Sequence, residues 1–229
     1  RYGTVTGVQT CALPILELSP FVNFINNFIY TKKLMAADGS DSIADPADQA
    51  PVFLFTAGKA RLTGGEIYFD FHPHPLDWLH IENSFSYVHA VQPNQPDSLK
   101  YLPFIPPARY RAEIKGEWSR AGKTLNSFYF KAGLDRYFKQ DNYFRAYGTE
   151  TATPAYTLIS AGAGAEFEFK KGKKKGGLYI SGENLADIAY QSHLSRLKYA
   201  PVNPLNGRTG IYNPGRNISI KMKIGRAHV

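Results

Sequence analysis

Residues Asn217 to Ile224 alternate without a break: Asn217, Ser219, Lys221 and Lys223 fall on one side, and Ile218, Ile220, Met222 and Ile224 on the other. A period of two is the signature of a β-strand with one apolar face. Arg109 to Trp118 repeats it, setting Arg109, Arg111, Glu113, Lys115 and Glu117 against Tyr110, Ala112, Ile114, Gly116 and Trp118. Leu79 to Val91 sets Leu79, Ile81, Phe85, Tyr87 and Val91 against His80, Glu82, Ser84 and Ser86, with Asn83 and His89 breaking the pattern. Asn126 to Phe138 opposes Phe128, Phe130, Leu134 and Phe138 to Ser127, Lys131, Asp135 and Lys139, with Tyr129 and Arg136 as exceptions. Thr157 to Phe169 alternates with smaller residues. Glu66 to His72 predicts a strand that starts near Val52, and Leu16 to Lys32 a weaker one with Val22, Phe24, Phe28 and Tyr30 opposite Asn23, Ile25 and Asn27. With Leu178 to Leu185, the pattern predicts an all-β chain of about eight strands.

The connections predicted between these strands alternate in length. Long ones run near Lys33 to Ala50, Gln92 to Phe104, Asp141 to Ala155 and Ala189 to Pro214, and short ones near Pro73 to Pro75, Ser119 to Thr124 and Lys170 to Gly177. In an antiparallel up-and-down meander successive connections lie at opposite ends of the sheet, so one end carries loops and the other tight turns, as in outer-membrane barrels.

What the apolar face touches decides the function class. Each strand by itself suits a soluble β-sandwich. The predicted strands are much longer than the globular mode of about 5–6 residues, and a membrane crossing needs about 9–11. Tyr30, Trp78, Trp118, Tyr137, Phe138, Phe167 and Phe169 sit near strand ends, as an interfacial girdle requires. A sheet in hydrocarbon must close, because an open edge leaves backbone groups unpaired. These features favour a transmembrane barrel.

Composition agrees, with 14% aromatics, 20 Gly and 15 Pro, and no apolar run of the roughly 18 residues a membrane helix needs. Both ends read as foreign. One DNA that encodes Gln9 to Ile15 has a reverse complement that encodes Ile224 to Val229, the relation expected of sequencing-adapter DNA translated at both ends. Residues 1–15 and 225–229 are therefore expected to be adapter-derived, and 16–224 a piece of a larger domain. Cys11, the single cysteine, lies in the first of these segments, so disulfides and thiol chemistry are not expected in the remainder. Setting aside Arg1 and Arg226 takes the 27 basic residues to 25 against 19 acidic ones, a charge of +6 instead of +8. That mild excess does not point to nucleic acid.

Several segments resemble the C-terminal part of TonB-dependent outer-membrane receptors. Gly182-Glu183-Asn184-Leu185-Ala186-Asp187 with Tyr190 is similar to the family's signature near the second-to-last strand, and Pro214-Gly215-Arg216-Asn217 to the start of the last. Leu102 to Arg109 resembles the segment by which the chain returns to the barrel after a long loop, and Ala60 to Glu66 another strand. The resemblance implies a 22-stranded barrel occluded by an N-terminal plug, of which these residues are the last third, with Asn217 to Ile224 as the closing strand. It also implies outer-membrane lipid, TonB, the barrel-assembly machinery and a metal chelate or similar small ligand as partners, in a Gram-negative outer membrane. The function so implied is uptake of a scarce nutrient, a ferric siderophore or other metal chelate first. A complete eight-stranded outer-membrane barrel with a structural or adhesive role, and a soluble β-sandwich binding module, stay open as alternatives.

No catalytic motif appears: there is no Gly-rich phosphate loop, His-Glu helix motif or nucleophile elbow. No enzyme activity and no cofactor are expected. His72 and His74, separated by proline, suit a turn better than a metal site. Asp38, Asp41, Asp45 and Asp48 read as a flexible acidic loop, and Lys170, Lys171, Lys173, Lys174 and Lys175 as a solvated turn. Tyr143, Phe144, Arg145 and Tyr147, with His193 and Arg196 in another long loop, are the candidates for ligand contact, since aromatic faces and arginine suit an anionic, partly aromatic chelate. Arg109, Arg111, Glu113 and Lys115 are expected to line the lumen.

Overall fold

The computed structural model describes residues 14–40, 52–119, 124–169 and 174–226. Asp41, Asp45, Asp48, Lys170, Lys171 and Lys173 lie outside them. The alternating segments form β1 (Ile15–Lys33), β2 (Phe53–Phe71), β3 (Leu79–Val91), β4 (Arg109–Ser119), β5 (Leu125–Tyr137), β6 (Tyr156–Phe169), β7 (Lys174–Glu183) and β8 (Asn217–Arg226). They make one antiparallel sheet in sequence order, with β1 and β8 as its two edges.

Register carries the two faces across the whole sheet. Ala112 opposes Leu134, which opposes Ile159, and Ala163 opposes Ile180, which opposes Ile220. On the other face Glu82 opposes Glu113, and Tyr179 opposes Lys221. The apolar face stays bare: Ile218, Ile220 and Met222 are each at least 60% exposed, and so are Leu18, Val22 and Phe24 on β1.

The same register gives the strand tilt. One hydrogen-bonded row runs Ile15, Asp70, Glu82, Glu113, Gly133, Ser160 and, one residue past the β6–β7 ladder, Glu183 and Asn217. The turn end of β1 is thus level with the loop end of β8, nine residues from Arg226. At about 3.3 Å per residue and 4.8 Å per strand, that is a stagger of about 30 Å over about 34 Å of sheet, a tilt of about 40°. Closed transmembrane barrels require about 35–45°.

Aromatic residues mark the turn end of the apolar face. Trp118 stacks on Trp78 at 4.8 Å and on Phe128 at 5.1 Å, with Phe130 tilted against it at 5.5 Å. Gly116 makes this possible, because a Cβ there would lie 2.7 Å from the Phe130 ring. Tyr137 departs from the girdle expected of it. It opposes Arg109 and Tyr156 on the polar face, stacks on Tyr156 at 4.7 Å and holds the Arg109 guanidinium 5.1 Å from its ring.

A second departure comes from a bulge. Between Ile25 and Phe28 β1 carries an extra residue, which flips the alternation, so Phe28 joins Ile25 on the polar side instead of following Phe24. There both pack against a small core of Ala60, Ala90 and Leu102, with Leu62 and Ile105. The β3–β4 loop is thereby folded over that face, pinned by the Leu102 amide donating to the Ala90 carbonyl at 3.1 Å.

Candidate functional site

The loops between β3 and β4, β5 and β6, and β7 and β8 meet at one end of the sheet around Glu150. Its buried carboxylate accepts the backbone N–H of Phe104 from one loop and of Phe144, at 2.8 Å, from its own. Lys198, from the β7–β8 loop, donates to the carbonyls of Thr151 and Ala152 at 3.0 and 2.8 Å and to Thr153 Oγ1 at 2.8 Å. Thr153 Oγ1 also hydrogen-bonds His193 Nδ1, 2.8 Å away, and so links the two loops through both Lys198 and the imidazole. The other ring nitrogen, Nε2, lies 3.8 Å from Glu150 Oε1 and has no hydrogen-bond partner among the described residues.

Burial sets the charge states of this cluster. It pushes His193 down to about 4, helped by the Lys198 charge, so the imidazole is neutral. Burial also raises Glu150, against the opposing pull of the two backbone donors and of Lys198 and Arg196. Lys198 is lowered by burial, with Glu150 opposing.

Beside this cluster lies a cavity of about 580 Å³ whose lining includes Tyr30, Phe53, Phe104, Phe144, Tyr147, Arg196 and Tyr199. Tyr147 meets Phe53 edge-on at 5.9 Å and Phe144 at 5.7 Å, in a 3₁₀ turn that puts it at φ 63. The Arg196 guanidinium covers the Phe104 ring at 4.5 Å and forms no ion pair among the described residues.

The candidate ligand residues divide three ways. Phe144, Tyr147 and Arg196 line the cavity. Arg145 lies outside it, over the Tyr143 ring at 5.5 Å. His193 is fully buried in the cluster beneath, where it faces Thr153 and Glu150.

Arg109, Arg111, Glu113 and Lys115 share the polar face, and each is paired there. Arg109 Nε donates to Asp135 at 2.9 Å, Glu113 receives Arg111 at 3.2 Å and Lys131 at 3.3 Å, and Lys115 binds Glu117. His72 turns away from His74, contacting Asp70 at 2.9 Å and His80 at 3.2 Å. Among the described residues no group of three or more His, Cys, Asp or Glu side chains is placed to hold a metal ion.

Comparison with known families decides what this architecture is. The family described as "TonB dependent receptor-like, beta-barrel" matches residues 13–185. The chain belongs to this family. Its eight strands are a part of a TonB-dependent receptor barrel, and the unclosed sheet follows from that. Among solved structures the barrel is similar to "Copper transporter OprC", with a TM-score of 0.65 and 16% identity over 91% of this chain. The chain spans 28% of that protein. No curated protein sequence matches it.

A receptor barrel is not an enzyme, in line with the missing catalytic motifs. The family match decides against both alternatives; in line with it, among the described residues the strands form one sheet rather than the two of a sandwich, and β1 and β8 share no ladder. Sequence reasoning missed Glu150, Thr153 and Lys198. No periodic pattern marks them, since their contacts join residues about 45 positions apart in three irregular loops.

Proposed function

We propose that the chain is the barrel portion of an outer-membrane receptor that imports a scarce metal chelate, a ferric siderophore first, with energy delivered through TonB. The apolar face meets lipid, and the polar face with Arg109, Arg111, Glu113 and Lys115 lines the lumen. Each of them already has an ion-pair partner within the wall, Glu113 being shared by Arg111 and Lys131. The ligand contacts belong to the loop end. What supports this reading is the cavity there, where aromatic faces and Arg196, which forms no ion pair among the described residues, fit an anionic chelate with aryl groups. Tyr143, Arg145 and His193 act around it, His193 by holding the loops rather than by touching the ligand. The barrel-assembly machinery inserts the strands, and the β8 edge pairs with the first strand of the barrel.

The test is uptake of ⁵⁵Fe-labelled catecholate chelate by Gram-negative cells carrying the full-length receptor gene. Accumulation is expected to depend on the receptor and to vanish when TonB is deleted. Equal accumulation with and without TonB contradicts the proposal.

A further inference from the structure

Two aromatic walls of the cavity hang on one buried carboxylate. Glu150 Oε1 accepts the Phe104 amide and Oε2 the Phe144 amide, and both residues line the cavity. Phe104 adopts φ 56, a left-handed conformation that a bulky residue rarely takes, and the bond to Glu150 holds its amide there. The same ring carries the Arg196 guanidinium at 4.5 Å. One residue thus separates the ligand surface from the carboxylate.

A buried nitrogen without a partner is the second observation. His193 Nε2 and Glu150 Oε1 face each other at 3.8 Å with both side chains fully buried, and Nε2 has no hydrogen bond among the described residues. A proton placed between this carboxylate and the imidazole gives Nε2 the bond it lacks, and a neutral carboxyl keeps acceptor capacity for the amides. Among the described residues the charged and titratable groups that act on Glu150 come from the β7–β8 loop: His193, Arg196, Lys198 and Tyr199. The β3–β4 and β5–β6 loops present the two amides to it. Burial raises Glu150, and the amides, Lys198 and Arg196 oppose that rise.

Resting on the reading of the cavity as the ligand site, we propose that Glu150 is its positioning residue and that an anionic ligand on Arg196 binds together with a proton taken up by the Glu150–His193 pair. The anion offsets positive charge that keeps Glu150 ionised, and it also favours a proton on His193. Both effects have the same sign, so the ligated protein holds more protons than the free one. By linkage, affinity for the anion rises as pH falls from 7.5 toward 5.

The test is isothermal calorimetry of the full-length receptor in detergent with a hexadentate ferric catecholate, in PIPES and in ACES buffer, whose different ionisation enthalpies report the protons exchanged. Wild type is expected to take up protons on binding, its affinity rising by as much as about tenfold per pH unit, the limit for one proton. Glu150→Gln cannot take the proton and is expected to lose most of that uptake; its difference from wild type cancels the titration of the chelate itself. Arg196→Lys is expected to keep the uptake and Arg196→Gln to lower it. Each variant is first checked for heat-modifiable migration as a folded barrel. Equal proton exchange in wild type and Glu150→Gln overturns the coupling, whatever the affinity of the variant. Absence of binding to wild type removes the ligand-site reading and the coupling together, whereas binding without proton uptake removes the coupling alone.

Discussion

Replacing Glu150 by alanine removes the side chain on which two of the three loops close. The Phe104 and Phe144 amides both lose their acceptor, and each unpaired buried donor costs about 1–3 kcal/mol. The sum lies between about 2 and 6 kcal/mol, and the lower end applies because water can reach amides in a surface loop. A loss of about 2 kcal/mol raises the opening constant of the loop cluster roughly 30-fold. Hydrogen–deuterium exchange on the full-length receptor in detergent reads this directly from peptides covering 99–106 and 142–148. Protection there is expected to fall about 30-fold in Glu150→Ala, while peptides from β4 and β5 stay unchanged. Glu150→Gln keeps one acceptor and is expected to fall between the two. Protection in Glu150→Ala within threefold of wild type refutes the idea that this carboxylate fastens the loops.

The remaining expectations concern pH, ligand and membrane. His193 titrates at about 4 when the loops are closed and at its ordinary value of 6.5 when they open, so loop stability is undiminished above pH 6.5 and declines as pH falls toward 4. The full loss is at most about 3 kcal/mol. Glu150, held above the ordinary range, works in the opposite sense on acidification, so the difference between wild type and His193→Asn isolates the imidazole. That difference should appear in amide exchange between pH 6.5 and 4 and vanish above pH 7. Arg196→Gln is expected to weaken binding of a catecholate chelate about tenfold by isothermal calorimetry, the worth of one charged hydrogen bond, with loop protection unchanged. Ile220→Arg, near mid-height on the apolar face, is expected to cost about 2–4 kcal/mol in urea unfolding from vesicles, whereas Ser219→Arg on the polar face is expected to cost much less.

The strands were legible in the sequence because alternation is a local signal that a two-faced sheet imposes on every residue. β3 has the bounds that the alternation of Leu79 to Val91 marks, and β4 extends the predicted span by Ser119 alone. Loop lengths were legible for the same reason. The bulge at Asn26 and Asn27 was not, since one extra residue inside an apolar stretch leaves no trace in composition and shifts Phe28 to the other face. Nor was Tyr137, whose place follows from the register with Arg109 and Tyr156. Of the ligand candidates, Phe144, Tyr147 and Arg196 could be picked as exposed chemistry in long loops, and they do converge on one cavity. The fastening beneath them could not, because Glu150, Thr153, His193 and Lys198 meet only through the folding of two loops onto each other.

A receptor wall in the outer membrane requires the two faces of the sheet to meet different solvents, and β8 offers the most direct measurement. Single cysteines at 218 to 223 of the full-length receptor in vesicles can be spin-labelled and tested for collision with oxygen, which concentrates in hydrocarbon, and with a polar nickel chelate, which does not. Residues 218, 220 and 222 are expected to favour oxygen and 219, 221 and 223 the nickel chelate, with a period of two. Uniform accessibility along the strand, or alternation of the opposite phase, contradicts the assignment of the apolar face to lipid.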